Sequence, residues 1–261
     1  MPMLRSFRAL LFNALPDRVR QAVLLLVHPE RAGFIYNPTY NEDGLATYHV
    51  CHFMQDERFM HAFGHAVQGI EQDYAVHWRA YIACWAAWKA SSLDGDFVEC
   101  GVDKGVLSRA IVDYVDFGRL PKTFYLVDTY AGIPLEYVSG EEMKLNDPTR
   151  RDYTNNYDLV KDKFSPFPNV RMVRGKVPDV LPEIQSDKIA YLSIDMNNAY
   201  PEIAAAEYFW DKMVSGAVMV LDDYAYHESY RIQRQEFDAF ATRKGVQVLT
   251  LPTGQGLIFK P

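Results

Sequence analysis

The stretch Asp96-Phe97-Val98-Glu99-Cys100-Gly101-Val102-Asp103-Lys104-Gly105 decides the fold. An apolar run that breaks at a glycine and leads at once into helical patterning, over about 105–115, is how a βαβ unit opens. Outward from it the same alternation repeats. Strands are expected at 123–127, 170–173, 189–194 and 217–221, with helices at 153–164, 202–213 and 229–243. Two final apolar runs, 246–251 and 257–260, are joined by the turn Thr253-Gly254-Gln255-Gly256 and read as an antiparallel hairpin. The expectation is an α/β fold with a doubly wound, mostly parallel seven-stranded Rossmann-like sheet that ends in that hairpin.

Composition bounds what such a chain does. Of 261 residues, 49% are hydrophobic and 23% charged, which supplies a core and excludes wholesale disorder. Lys and Arg total 27 against 34 Asp and Glu, for a net charge of -7. That balance argues against a nucleic-acid groove built on phosphate neutralisation. No apolar run in the sequence approaches the roughly 20 residues of a membrane span. Cys51, Cys84 and Cys100 stand apart with no paired spacing, so a reducing cytoplasm is expected, with Cys84 and Cys100 as buried thiols.

Residues 1–90 read as a helical cap, with helices at 59–68 and 74–89 and a turn-rich stretch at 37–47 between helical parts. Residues 1–27 read as amphipathic helices broken at Pro16, packing or self-associating into a homo-oligomer, with a membrane-surface role as the other reading. Residues 91–261 form the ligand-binding domain.

In an open α/β sheet, ligands sit beyond the carboxyl ends of the strands. Four expected strand ends carry acids: Glu99, Asp128, Asp195 and the Asp222-Asp223 pair. The first turn has GxxxG spacing, from Gly101 to Gly105, rather than the dinucleotide GxGxxG. An acid two residues before the first glycine would repel a pyrophosphate but suits a cationic cofactor such as S-adenosylmethionine, with Asp128 taking its ribose hydroxyls. The two glycines serve either close approach to that ligand or helix–strand packing.

These motifs resemble a known family. Gly95 to Val102, Asp128-Thr129-Tyr130-Ala131-Gly132-Ile133-Pro134, Gly175 with Asp179 to Pro182, Ser193 to Asn197, and Leu221 to Tyr224 are similar to the macrocin O-methyltransferases, over about residues 90–260. The resemblance implies a class I methyltransferase that uses S-adenosylmethionine and Mg²⁺ to methylate a hydroxyl, often of a sugar on a natural product. The implied cofactor set is Glu99, Gly101, Val102, Lys104, Gly105, Asp128, Thr129, Gly175 and Asp195. The chain departs from the family at Asp103-Lys104-Gly105-Val106, where a Trp-Arg-Gly-Gly-like run is usual. It departs again at Asp195-Met196-Asn197, in place of Asp-Gly-Asp, and at Lys176-Val177, in place of an aromatic pair. The acceptor therefore stays open.

Asp195, Asp222 and Asp223 end neighbouring strands about 4.8 Å apart, and three converging carboxylates call for a cation. The expectation is one Mg²⁺, with local helix caps as the other reading; zinc is disfavoured because neither His nor Cys shares the cluster. Two residues stand as base for the acceptor proton, Asp195 and His227. His61 and His65 share a helical face without an acid beside them in sequence and read as surface or packing residues. Segment 131–156 reads as a lid, and Tyr130, Tyr137, Tyr153, Tyr157, Tyr224 and Tyr226 as possible pocket walls. Two rivals remain: an NAD-dependent oxidoreductase, opposed by the glycine spacing and the hairpin, and a non-catalytic scaffold of the same fold.

Overall fold

The computed structural model describes residue 19 and residues 38–71, 74–150, 153 and 155–261. The chain divides into two compact units, 1–52 and 53–261. In the first, β1 (Tyr40–Glu42) and β2 (Leu45–Thr47) form an antiparallel hairpin. Its turn places Asp43 and Gly44 at positive φ, where Asp tolerates and Gly favours the left-handed region. The helices and oligomer interface expected over 1–27 lie outside the described residues.

The second unit opens with α1 (Glu57–Val67) and α2 (His77–Ser91). It therefore begins well before residue 91, because α1 packs on the first helix of the βα series and α2 packs on both that helix and the sheet. The series runs β3 (Asp96–Cys100), α3 (Val106–Tyr114), β4 (Phe124–Asp128), α4 (Gly140–Leu145), α5 (Tyr157–Phe164) and β5 (Val170–Arg174). It continues with β6 (Ile189–Ile194), α6 (Ala199–Trp210), β7 (Met213–Leu221), α7 (Arg231–Lys244), β8 (Leu249–Thr250) and β9 (Gly256–Phe259). The strand order is β5-β4-β3-β6-β7-β9-β8, parallel from β5 to β7 and antiparallel at β9 and β8. The expected sheet and hairpin are both present.

Every residue of β6 is buried, as a central strand covered on both faces requires. The pleat divides the core with a period of two. Val98 and Cys100 join Ala205, Phe209, Phe237 and Phe240 on the α6–α7 side. Phe97 meets Phe117 and Tyr191 on the other, with ring centroids 5.1 and 5.2 Å apart. Cys84 and Cys100 are buried free thiols, as expected, and burial pushes both up in pKa.

Two local expectations are corrected. Helix α6 starts at Ala199 rather than near Glu202, because the Asn198 side chain accepts from Tyr200 N at 3.3 Å and sets the cap earlier. Segment 131–156 is not structureless. Ser139 and Glu142 form a reciprocal capping box that starts α4, and Glu142 also accepts from Ala199 N at 2.8 Å, which ties the segment to the head of α6. Among the described residues, no helix is long and apolar enough to cross a membrane.

Candidate active site

Strand order reverses between β3 and β6, and the crevice expected at such a switch point is there. A cleft opens at the carboxyl ends of β3, β4 and β6. Gly101, Asp103, Asp128, Thr129, Tyr130 and Gly175 line it with Asp195, Met196, Asn197 and Pro201; segment 131–156 supplies Ala131 to Pro134, Tyr153 and Asn156. Three aspartates face this space, and among the described residues the lining contains no Lys, Arg or His.

Each aspartate is held in place. Asp128 Oδ2 accepts the backbone N–H groups of Val102 and Asp103 at 2.6 and 2.9 Å, which fastens the β3 turn to β4. Its Oδ1 accepts Tyr130 N at 2.7 Å; the Thr129 hydroxyl stands 3.3 Å away but turns its one proton to Gly132 O at 2.7 Å. Oδ1 thus keeps room for a single further donor. Asp103, at φ +46°, accepts from Asn156 Nδ2 at 2.7 Å and from the Tyr74 hydroxyl at 3.1 Å. Burial pushes Asp103 up in pKa, against the pull of Tyr74 and Lys104.

Asp195 accepts from Asn197 Nδ2 at 3.2 Å, and Asn197 Oδ1 in turn accepts from the Tyr230 hydroxyl at 3.0 Å. Asn197 sits at φ +57°, a conformation Asn tolerates well. An ionised Asp there could not donate to Asp195, which gives this departure from Asp-Gly-Asp a physical role. Burial, then the charges of Asp222 and Asp223, hold the Asp195 pKa well above the usual carboxylate range, with Arg79 opposing them.

Several expected site residues stand elsewhere. Glu99 lies beneath α3, where it accepts from the Ser108 hydroxyl at 2.6 Å. Strand alternation points it into the core rather than the cleft, and burial raises its pKa to about 8. Val102, Lys104 and Gly105 are outside the cleft lining as well. Gly105 begins α3 at φ +70°, and a Cβ there would meet the Phe164 ring at 2.8 Å, so helix packing requires this glycine. Gly101 does line the cleft, but a Cβ would overlap the Asp195 carbonyl, so the close approach it permits is between β3 and β6. Of the six tyrosines, Tyr130 and Tyr153 reach the cleft. His227 caps the turn at Glu228–Tyr230, its Nδ1 accepting from Ser229 N at 3.2 Å. His65 does have an acid neighbour, Asp113 on α3, at 3.0 Å.

The largest surprise is Arg79 on α2. It is 6% exposed and bonds the Asp222 carboxylate, the Asp222 carbonyl at 2.9 Å and Asp223 Oδ1 at 3.4 Å. Gln255 Nε2 fills the remaining Asp222 oxygen at 2.8 Å. The cation demanded by the paired aspartates is therefore a guanidinium. Among the described residues, no group of three His, Cys, Asp or Glu side chains is assembled to hold a metal ion. The set expected for Mg²⁺ does not fit one in this arrangement. Nothing in the sequence of α2, a run of Ala, Trp and Tyr with one Arg, marks Arg79 as buried.

The pattern that defines the macrocin-O-methyltransferase (TylF) family matches residues 76–247. The chain belongs to that family. No curated protein matches the chain. Among solved structures it is similar to the O-methyltransferase NovP, with a TM-score of 0.60 and 21% identity over 70% of this chain and 79% of that one. It also resembles the calicheamicin methyltransferase CalS11, with a TM-score of 0.57 and 12% identity over 87% and 95%. A third likeness, at TM-score 0.50 and 9% identity over 95% and 98%, is the Podospora anserina methyltransferase PaMTH1 with S-adenosylhomocysteine bound. At these identities the structures speak for a shared fold, while the family match makes this chain an O-methyltransferase.

Proposed function

We propose that the cleft binds S-adenosylmethionine and that the chain transfers its methyl group to a hydroxyl of a small acceptor, in the class of sugars and glycosylated natural products. The observation that carries the reading is electrostatic. Asp103, Asp128 and Asp195 converge on a cleft whose lining, among the described residues, offers no positive side chain, an environment that favours a sulfonium and an ammonium and repels a pyrophosphate. S-adenosylhomocysteine in PaMTH1, and a description of CalS11 as a TDP-rhamnose 3'-O-methyltransferase, support donor and acceptor class respectively.

When bound, the donor supplies an electrophilic methyl on a cationic sulfur. Asp128 Oδ1 accepts one ribose hydroxyl, where the sequence suggested that the carboxylate takes both. Asp195 accepts the proton that the acceptor hydroxyl loses as its oxygen takes the methyl. Asn197 holds that carboxylate in position, and Asp195 is the better base because it lines the cleft, whereas His227 is committed to a cap. A raised pKa makes Asp195 a stronger base than an ordinary carboxylate. Because Arg79 occupies the paired aspartates, no step here is assigned to Mg²⁺.

Calorimetry tests the reading. S-adenosylhomocysteine should bind the wild type while NAD does not. Asp128→Ala should weaken that binding about tenfold or more, from loss of a hydrogen bond to a charged group worth about 1.5–3 kcal/mol. Equal binding of NAD, or an unchanged dissociation constant in the variant, overturns it.

A further inference from the structure

Helix α2 presents a row of small buried residues, Ala80, Ala83, Ala87 and Ala90, and packs against β6 and β7. The small side chains let its first turn reach the end of β7, where Arg79 enters the acid pair. The guanidinium has three further restraints. Its Cζ lies 4.4 Å from the centroid of the Tyr226 ring. Gln255 donates to the Asp222 carboxylate at 2.8 Å and stands 3.5 Å from the Arg79 carbonyl. The Thr253 hydroxyl then fixes Gln255 Oε1 at 2.9 Å. Arg79, Asp222 and Gln255 are all buried.

We infer that Arg79 is the built-in counter-cation of the Asp222–Asp223 pair and competes with any divalent ion for it. A divalent cation wants carboxylate oxygens and water around it in octahedral geometry. Reaching Asp222 means displacing Nη1 from one oxygen, or Gln255 from the other. An ion placed there with the guanidinium still present would face a like charge at short range in a water-poor setting. Arginine and metal are therefore alternatives, and the wild type holds the arginine. The inference concerns the chain's own residues and does not depend on the identity of methyl donor or acceptor.

The test uses the full-length protein with Mg²⁺ and with Mn²⁺ as a paramagnetic probe. For the wild type, millimolar Mg²⁺ should leave Tm unchanged, and the electron paramagnetic resonance of added Mn²⁺ should remain that of the free ion. Arg79→Met removes the positive charge that neutralises the pair, so its Tm should fall, and Mg²⁺ should restore about 4 °C or more. Its Mn²⁺ affinity should exceed the wild type's by at least tenfold. The double variant Arg79→Met/Asp222→Asn should lose both metal effects, which assigns them to this pair. Wild-type protein that holds one Mn²⁺ at micromolar concentration overturns the inference, as does an Arg79→Met variant that binds metal no better. Should Arg79→Met fail to fold, the wild-type titration decides by itself: one tightly held ion refutes the inference, and none supports it.

Discussion

Two groups of carboxylates sit one strand apart at the same sheet edge, and they are treated in opposite ways. In the cleft, Asp103, Asp128 and Asp195 are positioned by neutral donors: backbone N–H groups, Asn156, Asn197 and the Tyr74 hydroxyl. Their carboxyl groups face open space. At the end of β7, Asp222 and Asp223 are neutralised from within by Arg79 and shielded by Gln255 and Tyr226. The first arrangement stores a field for a cationic ligand. The second uses the same residue type to pin a helix to the sheet. An acid at a strand end therefore says nothing about function until its partner is known.

If the contrast holds, neutralising an acid in the two places should damage different properties. The largest effect is expected for Asp195→Asn: methyl transfer to an accepted hydroxyl should drop by about 10²–10⁴, with S-adenosylhomocysteine affinity within about threefold of wild type. Single-turnover kinetics and calorimetry measure the two halves, and a variant that retains full activity would remove Asp195 as base.

Asp222→Asn should act on stability instead. Breaking a buried ion pair costs about 3–5 kcal/mol in general, and because Asp223 still faces Arg79 the lower end, about 3 kcal/mol, is expected here. Urea denaturation reads it directly, while donor affinity should hardly move. Donor binding lost with unchanged stability would merge the two regions into one site.

The smallest effect sharpens the boundary between site and core. Glu99, buried under α3, has a pKa of about 8 against an ordinary 4.5, so the folded state binds a proton that the unfolded state releases. Its stabilising share is complete below about pH 4.5 and is lost as pH rises through about 8. Glu99→Gln should therefore flatten the decline of Tm over that window by a few degrees and leave donor affinity unchanged. A steep loss of donor binding would return Glu99 to the cleft.

Much of the scaffold was legible. The bounds expected for β3 and β6 coincide with those observed, because an apolar run of five or six residues closed by glycine or by Asp admits little else. The places of Asp128 and Asp195 in the cleft lining were legible for a related reason: they are the first polar residues after buried runs, and topology sends such residues to the crevice. The Ser139-x-x-Glu142 box was a readable signal for α4 and was missed within the stretch read as a lid. Glu99 was assigned to the ligand on sequence proximity, which ignored the pleat.

The sequence by itself determined the layout: strand ends carry acids, glycines stand where β3 turns, and a hairpin closes the sheet. Those features follow from local pattern, since periodicity and turn chemistry act over a few residues. Only the tertiary structure decided what each acid meets. Arg79 and Asp222 are 143 residues apart, and Asn156 reaches Asp103 across 53. No local rule couples such pairs. Whether a carboxylate keeps its charge for a ligand or surrenders it to an arginine depends on which distant helix packs over it, and that is settled by the burial of alanines on α2 rather than by anything near the acids.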